Sequence, residues 1–305
     1  GGDVVQQPAQ PSVEYPLNTA ELDQDEQALQ QVLQSAKSQR VPTMTQLVDL
    51  IAINELLGTV ESSGDGKNAN LVAQLETESL AAKAAEFKTT NNDDTIGWIR
   101  IPNTNVDYPV VYKAGVENYA YYESKGYDKQ YSKDGVIWAD YECTFPELSQ
   151  NTTLYGHNWH NIYTPRTQAN MQANDLMFSL VMSYNYTDFA QENPFVYFST
   201  TEQDYVFQVF ASYYTDLNFG YNYAQMSQED FQKVIAEAKA KSLSNYNVPV
   251  TSEDKIVTLS TCTRVHGNTN NQRFVVMAKL VPVGTPSTTI STHSNPIAYN
   301  SSIDA

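Results

Sequence analysis

Thr258-Leu259-Ser260-Thr261-Cys262-Thr263 closes a β-branched, apolar run that begins at Lys255, and it carries one of only two cysteines in the chain. Eleven residues after Cys262 a second run opens with an arginine: Arg273-Phe274-Val275-Val276-Met277-Ala278-Lys279-Leu280-Val281. Runs of this composition read as strands. A cysteine at the end of one and an arginine at the start of the next would bring a thiol and a guanidinium together. That is a place for covalent chemistry. The competing reading is a core cysteine, because free cysteine packs as a small hydrophobe and is commonly inert when buried.

The totals narrow the function classes. The chain has 305 residues and is 41% hydrophobic, enough for one large domain, or one domain plus an appendage, around a real core. Its net charge is −17, from 35 acidic and 18 basic residues. That argues against nucleic acid as a partner, since phosphate binding needs clustered Lys and Arg. It argues equally against docking on anionic lipid through a basic patch. Two cysteines make no disulfide framework, although one Cys143–Cys262 bridge fits the count and would disable Cys262 as a thiolate. The histidines, His157, His160, His266 and His293, and the two cysteines show no CxxC or HExxH spacing, so neither a metal site nor a cofactor is expected. No apolar run of about 18 residues occurs, so no helix here spans a membrane. Gly1-Gly2 reads as a cloning or processing remnant, which leaves a removed leader or N-terminal anchor open.

Outward from the two runs, the chain divides by pattern. Residues 1–20, rich in Pro and Gln, read as a flexible tail. Residues 21–94 read as a helical region: Leu22, Leu29, Val32 and Leu33 at helical spacing, a helix from Thr45 to Leu57, and another from about Asn70 to Phe87. It carries no evident chemistry; packing or spacing is the plain expectation, and a partner-binding hairpin the sharper one. From Thr95 short strands dominate. They are Ile96–Pro102, Val106–Tyr112 (with Pro109 marking an edge or bend), Gly135–Ala139, Thr152–Gly156, Phe195–Ser199 and Tyr205–Tyr214. A helix is expected within 172–190. An amphipathic one is expected over Gln228–Leu243, with Phe231, Val234, Ile235 and Ala238 on one side. Residues 286–305 read as a disordered tail. Many short strands with inserted helices predict a mainly β fold built on a closed barrel, spanning residues 95–285.

A cysteine nucleophile needs a partner that makes or stabilises the thiolate, normally histidine, and acyl transfer needs positive charge or N–H donors at the oxyanion. His266 follows Cys262 by four residues but lies in the Gly/Asn-rich loop Gly267–Asn271. His157 stands at a strand end, in Leu154-Tyr155-Gly156-His157-Asn158. A strand end holds a side chain more rigidly than a flexible loop, so His157 is the better candidate. A loop histidine with only a local hydrogen bond is the alternative.

These residues resemble a known family. Thr258-Leu259-Ser260-Thr261-Cys262 matches the TLxTC motif of sortases; Leu154–Asn158 resembles the family's histidine motif, and Arg273-Phe274-Val275-Val276 its arginine strand. Trp98-Ile99-Arg100-Ile101-Pro102 through Val110, and the helix ahead of the Cys-bearing strand, are similar to class B. The resemblance covers about residues 95–283. It implies an eight-stranded β-barrel with N-terminal helices and a cysteine transpeptidase. Cys262 would attack the threonine carbonyl of an LPxTG- or NPxTx-like sorting signal. His157 would move protons, and Arg273 would hold the oxyanion or the substrate backbone. It carries substrate-binding roles to Ser260, Tyr221 and Asn118. The implied partners are a sorting-signal peptide and an amine of a peptidoglycan precursor or pilin. The implied place is the outer face of the cytoplasmic membrane of a Gram-positive bacterium, with an anchor upstream. A purely hydrolytic cysteine peptidase and an inactive sortase-like scaffold are the alternatives. The long N-terminal region and Cys143 depart from the family pattern.

Overall fold

The computed structural model describes residues 79–297. The tail expected over residues 1–20 and the helices expected before residue 79 lie outside the described residues, as does the chain after 297. The described chain opens at a helix start. Ser79 is extended and its hydroxyl accepts from the Ala82 N–H, capping α1 (Leu80–Thr90). Asp204 reinforces that start, accepting from Ser79 Oγ at 2.6 Å and the Ala81 N–H at 2.8 Å. A carboxylate there answers the positive end of the helix dipole. Leu80, Ala81 and Ala84 are the buried side of α1, which packs on the first strand.

Eight strands close a barrel. They are β1 (Thr95–Arg100), β2 (Asp107–Val111), β3 (Ile137–Ala139), β4 (Asn151–Tyr155), β5 (Phe195–Thr200), β6 (Asp204–Asp216), β8 (Ile256–Cys262) and β9 (Gln272–Val281). Their order is β1-β2-β3-β4-β8-β9-β6-β5, and β5 pairs back with β1. Closure leaves no open edge. Pro109 is accommodated because it faces Trp98 on β1, while the β2–β3 ladder starts only at Val110. The pairs β2–β3 and β4–β8 are parallel and the other neighbours antiparallel. Leu154, Leu259 and Val276 meet in one rung across β4, β8 and β9, and all three are fully buried. That rung fixes the phase of the three strands: residues an odd number of steps away, Ser260 and Cys262 among them, point to the other face.

The helix expected within 172–190 forms instead as a 3₁₀ segment, Ser179–Asn185, followed by the short α2 (Thr187–Glu192). Ser179 through Tyr184 are buried on every side, so no amphipathic stripe exists for an α-helix to follow. Ser183 and Tyr184 bond the carbonyls of Arg166 and Asn193. The predicted helix before the Cys-bearing strand is α3 (Gln228–Lys241), capped by Ser227, with Phe231, Ile235 and Ala238 buried. Acidic residues fill its first turn and lysines its last, in line with the dipole. It packs on β6.

The expected disordered tail also differs. Within it β10 (Ile290–Thr292) pairs antiparallel with β7 (Ser244–Tyr246), and Ile290 is buried in the main core. Gln191 donates to the Ile290 carbonyl at 2.6 Å. A single apolar anchor within a Ser/Thr-rich stretch is too little pattern to register in composition. Ile290→Ala is expected to lower unfolding stability by about 2–5 kcal/mol in a urea titration; a disordered tail would show no change.

Candidate active site

Strand phase assembles the site. In the β8–β9 ladder Cys262 is directly opposite Arg273, so thiol and guanidinium leave on the same face. In the parallel β4–β8 ladder Tyr155 is opposite Ser260, and the ladder runs on through the Gly156 N–H to Ser260 O, 3.4 Å. His157 therefore stands level with Cys262. His157, Cys262, Arg273 and, on β6, Thr215 form one row across four neighbouring segments. Both cysteines are free, so no bridge ties up Cys262.

The imidazole is held on several sides. Trp159 stacks on it with centroids 5.2 Å apart and planes 22° apart, and Trp138 packs at 5.6 Å. Its Nε2 bonds the Glu123 carbonyl. A carbonyl only accepts, so Nε2 carries a proton and Nδ1 is the nitrogen left over. Gly135, at φ 68°, lies close by: a Cβ there would come within 2.9 Å of His157 Cδ2. Gly156 is likewise forced, since a Cβ would sit 2.6 Å from both Ile137 Cδ1 and Phe178 Cγ. The Phe178 N–H bonds the His157 carbonyl at 3.1 Å. The indole N–H of Trp159 donates to the Lys133 carbonyl at 2.9 Å. The β2–β3 connection thus grips both stacked rings.

Arg273 Nη1 donates to the carbonyls of Asn270 (2.9 Å) and Gln272 (2.8 Å), which sets the guanidinium plane. Among the described residues no hydrogen bond occupies Nε or Nη2, so donors remain for an oxyanion or a substrate carbonyl. Tyr221 and Ser260 are brought together: their hydroxyls are 2.8 Å apart, both residues are buried, and Ser260 lies two strand positions below Cys262. Burial raises the Tyr221 pKa, opposed by its hydrogen bond to Ser260 and by the Arg273 charge. The pair forms a packed floor beneath the thiol. Asn118 is not joined to the others; it ends a 3₁₀ turn in the β2–β3 connection and donates to Ala114 O at 2.7 Å.

His266 belongs to a different face. Its ring meets Tyr214 edge-on at 4.7 Å, and desolvation lowers its pKa. Tyr214 pairs with Phe274, one residue out of phase with the row through Cys262 and Arg273. Sequence reasoning misses several residues around the row: Trp138, Tyr155, Asp140, Asn158 and Trp159. Tyr155 donates to Asp140 at 2.7 Å and accepts from Asn222 at 2.9 Å, a half-buried network beside the row. Burial holds the Asp140 carboxyl above its usual range. The available signal is the period-two spacing of Tyr155 and His157, which puts both on one face. No group of three or more His, Cys, Asp or Glu able to hold a metal occurs among the described residues.

Cys143 is a separate matter. It is 1% exposed, its Sγ lies 3.8 Å from Asn151 O, and burial pushes its thiol up to about 12. Asn151 pairs with Ile256, the first residue of β8, whereas Cys262 is the last. At about 3.3 Å per strand residue the two cysteines are roughly 20 Å apart. Iodoacetamide is expected to alkylate the native protein once, at Cys262, and twice only after unfolding, as read by intact-mass spectrometry.

The sortase-domain family model matches residues 99–281. Sortase B of Staphylococcus aureus is 30% identical over 193 residues, covering 63% of this chain and 72% of that protein. The solved Staphylococcus aureus sortase B–substrate complex superposes with a TM-score of 0.56 at 25% identity, covering 76% of this chain and 99% of the other. A sortase B structure complexed with triglycine gives a TM-score of 0.55 at 25% identity, covering 75% of this chain and 99% of the other. Barrel, row of side chains and relatives agree: the chain belongs to the sortase family of cysteine transpeptidases, among sortases of class B.

Proposed function

We propose that the row His157–Cys262–Arg273 carries the transpeptidation, and that its donor substrate is a C-terminal sorting signal of the LPxTG or NPxTx kind. The carrying observation is the shared phase of β4, β8 and β9, which sets the three side chains on one face at neighbouring strand ends. The Cys262 thiolate attacks the threonine carbonyl carbon, and the oxyanion is met by Arg273 donors. The C–N bond breaks, the leaving amine takes a proton from His157, and a thioester to Cys262 remains. An acceptor amine then gives a proton to His157 and attacks the thioester; a C–N bond forms and the thiolate leaves. Ser260 and Tyr221 support the substrate groove below the thiol. Asn118 would contribute from the β2–β3 connection.

The relatives support a peptide donor and an amine acceptor, one being a substrate complex and another a complex with triglycine. The acceptor class proposed is an amine of a peptidoglycan precursor or of a pilin. The place proposed is the outer face of the cytoplasmic membrane of a Gram-positive bacterium, held by an anchor upstream of residue 1.

Sorting-signal peptide libraries, incubated with triglycine or with a lysine-bearing pilin peptide and read by mass spectrometry, test donor and acceptor together. Cys262→Ala is expected to abolish product, and His157→Ala and Arg273→Ala to lower kcat by about a hundredfold or more. His266→Ala is expected to leave it intact. Turnover by Cys262→Ala, or product that is hydrolysed peptide whatever amine is supplied, would overturn the assignment.

A further inference from the structure

We propose that Asn158 is a positioning residue that sets the spacing between His157 and Cys262, resting on the reading of those two side chains given above. The backbone ladder between β4 and β8 stops just where the site begins. Its final bond is Gly156 N–H to Ser260 O at 3.4 Å. Continued in the same register, the parallel ladder would run from the Cys262 N–H to Gly156 O and then from the Asn158 N–H to Cys262 O. That bond is replaced by one from the same residue's side chain: Asn158 Nδ2 donates to Cys262 O at 3.1 Å. The amide acts as a surrogate rung. It keeps the two segments in register while the backbone turns away from the sheet, and that turn is what lets His157 leave the strand and project beside the thiol.

The amide is fully used. Nδ2 also donates to Asn161 O at 2.9 Å, and Oδ1 accepts from the Asn161 N–H at 3.0 Å and from Ser179 Oγ at 3.1 Å. Two carbonyls face Nδ2 and an N–H faces Oδ1, so the orientation of the amide is set by its neighbours. The residue is 3% exposed, and all four of its capacities are met inside the protein. Ser179 itself follows Phe178, whose N–H holds the His157 carbonyl. Among the described hydrogen bonds Asn158 is the one side chain bonded to the Cys262 backbone. Further ties between these segments, Thr261 Oγ1 to Gly156 O, Thr263 Oγ1 to Ile162 O and the Arg264 N–H to Ile162 O, act on neighbours. The residue is buried and all four bonds go to groups of the protein, so the contribution is to geometry.

The discriminating variant is Asn158→Asp. It is isosteric and keeps both acceptor contacts but sets an oxygen against the Cys262 and Asn161 carbonyls. Ser179→Ala is the comparison: it removes one acceptor contact and leaves both donors. Steady-state kinetics with a sorting-signal peptide, thermal unfolding and intact-mass alkylation are measured on each full-length variant. A single alkylation reports a folded chain, because the buried Cys143 is expected to react only on unfolding. Asn158→Asp is expected to lose about a hundredfold in kcat with KM within about twofold, the size of effect that a misplacement near 1 Å brings. Ser179→Ala is expected to lower Tm yet hold kcat within about twofold. Wild-type kcat in Asn158→Asp, or an equal kcat loss in Ser179→Ala, overturns the role. If Asn158→Asp alkylates twice and so has not folded, Asn158→Ser is judged by the same criteria. Cys262→Ala run in parallel separates the two claims. Turnover that survives it overturns the reading of Cys262, whereas an inert Cys262→Ala beside a fully active Asn158→Asp overturns only the role of Asn158.

Discussion

The candidate site depends on the phase between β4, β8 and β9. Side chains alternate along each strand, so a slip of one residue would carry the thiol or its partner to the opposite face. The buried rung Leu154–Leu259–Val276 prevents that slip, because the same shift would expel three apolar side chains from the core. Core packing and active-site geometry are therefore the same constraint seen from two faces of one sheet. The free energy that holds the row in place comes from hydrophobic burial, not from contacts among the polar side chains themselves.

Around that row the polar groups supply rigidity. Asn158, Asp140, Tyr155, Tyr221 and Ser260 are bonded to one another or to backbone. A satisfied buried network confines its members to one arrangement, whereas a partly satisfied one would let them drift. The two indoles and Gly135 limit where the imidazole can go. The arginine is braced by the carbonyls of Asn270 and Gln272 and keeps other donors open. Preorganisation of this kind lets donors act on a developing charge without first rearranging.

Much of this is legible without the fold. The β-branched runs ending at Cys262 and starting at Arg273 are β8 and β9 with nearly the expected bounds. Rigidity favours the strand end at His157 over the loop at His266, and the register places His266 against the opposite face. The helix expected within 172–190 does not form as such, because a segment buried all round has no periodicity to show. β10 escapes a reading of composition because one isoleucine among serines and threonines leaves no pattern. Asn158 sits beside the histidine in plain view, yet nothing local tells a capping or solvated asparagine from one that bonds a carbonyl 104 positions away.

By itself the sequence marked out the strands and singled out the cysteine, the histidine and the arginine as candidates, because period-two patterning and motif order are properties of neighbouring residues. It also limited the partners through its acidic charge and its lack of metal-ligand spacing. Tertiary structure alone decided which faces coincide, that Cys143 and Cys262 lie at opposite ends of β8, and that Tyr221 closes over Ser260. Those are questions of register and long-range pairing. They are set by how whole strands bury their apolar sides against each other, and no short window of residues contains that information.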